Sequence, residues 1–411
     1  MKSNIPTEFF NDLDNLIVFS SLNENPVIKY LKSDLNSIFS TNGEVLNRLI
    51  NYSESNNLAG DLWVNYLTHL ILTDKNIFSL KCEKEMLSKE KSLYHAALHD
   101  LRILKKLLEI DTSDLFNLNS REFDLIIKNY NPVNRSNDNI FKELTDLVGN
   151  SDKDIISKIN QYFYDNGAGL LNQFKAFTWD KDNFLLPVKN PDPIDFEGLI
   201  GYEKQKKKLI DNTRAFIEGE KAYNVLLYGE SGTGKSSSVK AALNEFASKG
   251  LRLIEINSNQ IKELPSILEN LNNRGLYFII FMDDLSFEEF ETEYKHLKAI
   301  MEGGIEAKPD NLLFYATSNR RHLVQEKWED REGELHEKDM INERLSLTER
   351  FGLTILFNSP DQEEYLEIVK GLAKKEDIKL SEAELEERAL NWQMWNNGKS
   401  GRTARQFIDS L

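Results

Sequence analysis

Between Asn224 and Phe357, short apolar runs alternate with stretches whose apolar residues recur at helical spacing. The runs Asn224 to Tyr228, Leu251 to Ile256, Leu276 to Met282, Asn311 to Thr317 and Leu353 to Phe357 read as buried strands. Helical segments separate them, as with Val239, Leu243 and Phe246. Strand followed by helix followed by strand predicts a five-stranded parallel sheet with crossover helices, an α/β core. Upstream the pattern differs. Residues 1 to about 180 carry only the helical period, for example Leu93, Ala97, Leu101, Leu104 and Leu108, broken at Asn131-Pro132 and at Gly149-Asn150-Ser151. Prolines 187, 191 and 193 favour extended backbone and predict a linker. After Ser359 the strands stop. Helices are expected from Ser359-Pro360 to about Lys375, from Ser381 to about Trp395, and after Gly401. The expected domains are therefore a helical 1–184, an α/β core at 185–358 and a small helical lid at 359–411.

The junction of the first core strand with its helix reads Gly229-Glu230-Ser231-Gly232-Thr233-Gly234-Lys235-Ser236, followed by Ser237. This is the spacing of a phosphate-binding loop. Its glycines permit positive φ, so that successive backbone N–H groups form a nest around a phosphate. Lys235 supplies a mobile charge for the β- and γ-phosphates, the Ser236 hydroxyl is placed to ligate Mg²⁺, and the helix N-terminus adds its partial positive charge. The loop predicts ATP or GTP with Mg²⁺. The third strand ends in Asp283-Asp284, acids delivered by a buried strand. Asp283 is expected to hold the metal, and Asp284 to orient or deprotonate the attacking water, with Glu288 as its substitute.

The fourth strand closes with Ala316-Thr317-Ser318-Asn319-Arg320-Arg321, and with this segment the pattern resembles an AAA+ ATPase. The resemblance implies ATP rather than GTP, and assigns Asn319 the role of a polar sensor that helps position the lytic water. Phe196 to Glu203 is similar to the segment lining the adenine pocket, which implicates Leu199, Ile200 and Gly201. Leu347 to Leu353 resembles the segment carrying an arginine finger that reaches a neighbouring subunit's nucleotide; Arg350 is the first choice and Arg344 the second. Ser400 to Gln406 resembles the sensor helix of the lid, where Arg402, or else Arg405, contacts nucleotide. From about Asp192 to Leu411 the chain looks like one mostly bacterial AAA+ family known chiefly as a domain of unknown function, most specifically in Phe281 to Phe287 and Tyr315 to His322. Two features depart from the superfamily pattern: Asp284 stands where most members have Glu, and the lid is short. The helical region matches no named activity and is expected to bind an unknown protein partner or target, with the chain in a homo-oligomer.

Composition narrows the partners. The 411 residues carry 51 Lys+Arg against 67 Asp+Glu, a formal charge of −16, which opposes a generally basic nucleic-acid-coating surface. Cys82 is the single cysteine, so no internal disulfide or cysteine metal site forms. No stretch approaches a membrane span, and a cytoplasmic protein is expected. Lys204, Lys206, Lys207 and Lys208 read as a solvated helix face, His95 and His99 as ordinary helix-surface histidines, and Trp392 and Trp395 as lid packing. Arg320 and Arg321 suit a contact with a neighbouring subunit or nucleic acid, or equally solvent. The leading reading is an ATPase that couples hydrolysis to remodelling of a partner. The alternatives are an ATP-dependent switch or scaffold with negligible turnover, and a nucleic-acid-associated loader-like ATPase.

Overall fold

The computed structural model describes residues 8–32, 41–116, 125–133, 151–182, 184–285, 297–301, 309–319, 349–396 and 398–411. The chain forms two compact units, Met1–Gln173 and Phe174–Leu411. Glu288, Arg320, Arg321 and Arg344 lie outside the described residues.

The first unit is helical. Its helices of eight or more described residues are α1 (Asn42–Asn56), α2 (Leu62–Thr73), α3 (Ile77–Lys84), α4 (Ser92–Leu108) and α5 (Asp152–Asn166). The apolar spacing that predicted α4 faces inward: Ala97, Leu101, Leu104 and Leu108 join Trp63, Phe78 and Phe163 in one buried cluster. His95 and His99 fall on the opposite, exposed face. Several buried polar groups close this unit's loops. The fully buried Asp100 carboxylate accepts the backbone N–H groups of Ile17 at 2.9 Å, Val18 at 2.6 Å and Phe19 at 2.9 Å. The Asn160 amide accepts from Leu87 N and donates to Leu87 O, and Glu83 accepts from Ala168 N.

The second unit holds a seven-stranded sheet of order β2-β1-β4-β5-β6-β3-β7. Its elements in chain order are β1 (Ala176–Asp180), β2 (Phe184–Pro187), α6 (Glu203–Ile217), β3 (Val225–Gly229), α7 (Lys235–Phe246), β4 (Leu251–Glu255), α8 (Leu264–Asn272), β5 (Tyr277–Met282), β6 (Leu312–Ser318) and β7 (Leu353–Phe357). The lid follows as α9 (Gln362–Lys375), α10 (Glu382–Trp395) and α11 (Gly401–Asp409). The five expected strands match β3 to β7 within a residue or so at each end, because each is a short, mostly apolar run; β3, β5 and β6 are buried on both faces, whereas β7 at the sheet edge leaves Thr354 and Leu356 exposed. Alternate strand residues such as Val225 and Leu227, Ile279 and Phe281, and Leu313 and Tyr315 pack with α6 and α7 side chains including Leu209, Phe216, Val239 and Phe246.

Seven strands correct the expected five. β1 pairs parallel with β4 through Phe177 and Ile254, and antiparallel with β2 through Trp179 and Leu185. The break between units therefore falls at Gln173 and Phe174 rather than after residue 184, and part of the expected linker is sheet. These strands are too short to register as a period, and Pro187 ends one of them at the sheet edge, where a missing N–H is tolerated. Trp395 is a second correction: it is 88% exposed, whereas Trp392 packs on Phe407 inside the lid. No helix among the described residues is long and apolar enough to cross a membrane.

Candidate active site

Sheet order decides which strand ends meet. β6 lies between β5 and β3, so the carboxyl ends of the strands bearing Asp283, Thr317 and the glycine-rich loop are adjacent, as expected of the ligand-binding edge of an α/β sheet. A cavity of about 440 Å³ opens there, within the range of nucleotide-sized sites.

The glycine-rich loop lines this cavity largely with backbone. Gly229 has φ 132°, and a Cβ there would overlap the Phe357 carbonyl of β7. Gly232, at φ 76°, lies so close to the lid that a Cβ would stand 3.0 Å from Ser400 Oγ and 3.1 Å from Arg402 Cβ. Only glycine meets both demands at each position. Gly234 caps α7 without a side chain, leaving the helix N-terminus turned to the loop. Lys235 is buried, and its ammonium donates to the carbonyls of Gly229 at 3.0 Å and Glu230 at 2.6 Å. Burial lowers its pKa below the ordinary lysine value, and Arg402 adds to the lowering, while Asp284, Asp283 and Glu230 oppose it. Ser231, Thr233, Ser236 and Ser237 line the same cavity.

The acids form a connected row on the cavity floor. Ser236 Oγ and Thr317 Oγ1 each donate to Asp283 Oδ1 at 2.6 Å, and Asn319 Nδ2 donates to Asp284 Oδ1 at 2.6 Å. The hydroxyl and carboxylate expected to share Mg²⁺ are thus already in mutual contact, and both are hard oxygen donors suited to that ion. Asp284 has φ 52°, a left-handed conformation that non-glycine residues adopt rarely.

An apolar part of the cavity lining comes from two distant parts of the chain. Leu199, Ile200 and Gly201 line the cavity together with Ile368 and Leu372 of α9, and Ile200 packs on the lid's apolar cluster. Ile200 seats against Gly371, where a Cβ would stand 2.8 Å from Ile200 Cγ2. Lys206, expected in a solvated row, is buried instead: its ammonium donates to Leu199 O at 2.7 Å and pairs with Glu203 at 2.6 Å. Lys204, Lys207 and Lys208 remain exposed. Lys206, Thr317, Ile368 and Leu372 are among the cavity-lining residues that sequence reasoning missed. An amphipathic spacing places Lys206 one turn before the buried Leu209 only once the helix phase is known.

The lid reaches the loop directly, with Arg402 N donating to Gly232 O at 3.1 Å. Arg402 and Arg405 both line the cavity, but Arg405 is held by Glu376 at 2.8 Å within the lid. Arg350 is exposed in the turn before β7 and is not among the cavity-lining residues of its own chain.

Residues 172–411 match the family described as "Protein of unknown function (DUF815)". The chain belongs to this family. It is also similar to AAA-ATPases of Arabidopsis thaliana, one 26% identical over 148 residues and another 34% identical over 122 residues. These alignments take in 33% and 27% of this chain and 27% and 24% of the respective relatives, so the chain spans about a quarter of the length of the curated relatives it matches. Among solved structures, the Holliday junction branch migration motor RuvB of Thermotoga maritima is similar at 19% identity over 53% of this chain and 72% of that one, with a TM-score of 0.34. The glycine-rich loop, the mostly parallel sheet and the helical lid of this family member are those of an AAA+ P-loop protein.

Proposed function

We propose that this DUF815 protein hydrolyses ATP, converting ATP and water to ADP and phosphate, and that nucleotide state moves the lid. The observation that carries the reading is the hydrogen-bonded row Ser236–Asp283–Thr317 with Asp284–Asn319 beside it, laid at the N-terminus of α7 on the floor of a nucleotide-sized cavity. In this reading the loop N–H groups and Lys235 hold the β- and γ-phosphates. Ser236 and Asp283 would hold Mg²⁺, which when bound offsets phosphate charge. Asp284 takes the proton of the attacking water, and Asn319 orients both. Leu199, Ile200 and Gly201 bind adenine against the lid, Arg402 reports the nucleotide to it, and Arg350 completes the site of a second copy in a homo-oligomer. The first unit binds a protein partner.

The contact between Asn319 and Asp284 also favours a second reading, a switch that binds ATP and turns over negligibly, since the amide engages the carboxylate that would take the proton. Steady-state phosphate release by wild type and Asp284→Asn, alongside ATP affinity by calorimetry, separates the two. Hydrolysis predicts wild-type turnover that falls on the order of 100-fold in Asp284→Asn with ATP affinity kept. Equal, negligible release by both proteins leaves the switch.

A further inference from the structure

Thr317 lies next to the last residue of β6 and is 2% exposed. Its hydroxyl is used twice, toward Asp283 Oδ1 at 2.6 Å and toward the backbone N of Asp284 at 2.8 Å. A backbone N–H can only donate, so the hydroxyl accepts there and gives its single proton to the Asp283 carboxylate. The Thr317 carbonyl accepts the next N–H, that of Leu285, at 2.8 Å. One residue on the neighbouring strand therefore grips three successive residues of the turn that carries both acids. The grip is needed, because Asp284 is held at φ 52°, and such a conformation persists only where the surroundings impose it. Threonine suits this role, since branching at Cβ stiffens χ1 and packing within the sheet then sets the hydroxyl's aim.

We infer that Thr317 is a positioning residue that fixes Asp283 and Asp284 relative to one another, so that the metal-side carboxylate and the water-side carboxylate move as one unit. This rests on the hydrolysis reading above for its effect on rate, but not for its effect on the metal. Without the hydroxyl, the Asp284 N–H loses its acceptor and Asp283 loses a donor, while the volume stays nearly the same in valine. The turn then relaxes and the acids lose register with the loop.

The test uses the full chain as wild type, Thr317→Val and Thr317→Ser, with ATP affinity measured by calorimetry in EDTA and then across a Mg²⁺ titration, and phosphate release followed in parallel. In Thr317→Val, metal-free ATP affinity should stay within about twofold of wild type, the Mg²⁺ concentration for half-maximal tightening of ATP binding should rise about fivefold or more, and kcat should fall about tenfold or more. Thr317→Ser, which keeps the hydroxyl, should recover most of both. A Thr317→Val protein with wild-type Mg²⁺ requirement and kcat overturns the inference. So does equal impairment of the two variants, or loss of metal-free ATP binding in Thr317→Val, since either makes the role one of shape or folding. If wild type releases no phosphate, the hydrolysis reading fails on its own, and the Mg²⁺ titration still decides the role of Thr317.

Discussion

The two units use their polar side chains in opposite ways, buried in the first and largely open to a cavity in the second. In the first, Asp100, Asn160 and Glu83 turn inward and bind backbone of their own unit, far along the chain: Asp100 holds Ile17 to Phe19, and Asn160 holds both polar atoms of Leu87. In the second, Lys235, Ser236, Asp283, Thr317, Asp284 and Asn319 line one cavity, with the side-chain hydroxyls, amide and carboxylates bonded to one another. A buried charge is therefore not by itself a sign of chemistry. A carboxylate whose partners are backbone N–H groups satisfies the fold. One whose partners are hydroxyls and amides beside an opening has ligand-facing capacity left.

The contrast is broken most severely at Asp100. Asp100→Ala removes the acceptor of three N–H groups in a buried site and should cost the first unit about 3–5 kcal/mol, read by denaturant unfolding of the full chain and by hydrogen exchange in the segment around Phe19. Its ATP affinity should not change. A coupled loss of nucleotide binding would mean that the units do not divide the labour in this way.

Lys235→Ala is the mirror experiment. It should weaken ATP binding by about 100-fold, roughly 3 kcal/mol, with little change in unfolding midpoint, because the buried ammonium stabilises the loop no more than its desolvation costs. Unchanged affinity by calorimetry would remove the loop from the site.

A third, smaller effect comes from pH. Burial holds His69 down at about 4, and Tyr52 OH contacts its Nδ1 at 2.5 Å. The folded-state value lies below the unfolded one, so the unfolded chain takes up the proton first. The stability contributed by neutral His69 is intact above the ordinary histidine range and is lost as pH falls toward about 4. Between pH 7 and 5 the first unit should lose on the order of 2 kcal/mol through this group. A His69→Gln protein should show a correspondingly flatter pH dependence of its denaturant midpoint, and an unchanged slope would exclude His69 as the source.

Within the second unit, the lid sharpens the comparison by the least. Arg402→Ala should weaken ATP binding about three- to tenfold, whereas Arg405→Ala should leave it nearly unchanged, because Glu376 already holds that guanidinium. The reverse order would exchange their roles.

How far the sequence foretold this structure follows the same division. That the loop and the acids lie together was legible because such a loop and strand-end acids have particular residue types at fixed local spacing, and β3 to β7 were legible because each is a short, mostly apolar run. Gly371 was not legible. Its meaning depends on Ile200, which packs on it from a remote part of the chain, and no local pattern records that. Lys206 resembled its neighbours Lys204, Lys207 and Lys208 in every local respect, and only the phase of α6 sends it to Leu199 O. Asp100 gave no signal either, since an acid in a helix reads as solvated until a remote segment is seen to close over it. β1 and β2 were hidden by brevity and by Pro187.

The bond from Arg402 N to Gly232 O closes a circuit of about 170 residues. Ribosomes add residues at ~5–20 per second, so the loop exists for roughly 10–30 s before the helix that covers it has been made. During that interval Gly229 to Ser236 face water without Ile368, Leu372 or Arg402, and a nucleotide can enter without passing any lid. Occupied early, the loop would be stabilised by mass action while the rest of its enclosure is still being synthesised. A bound nucleotide would then act on this chain first as an aid to its folding.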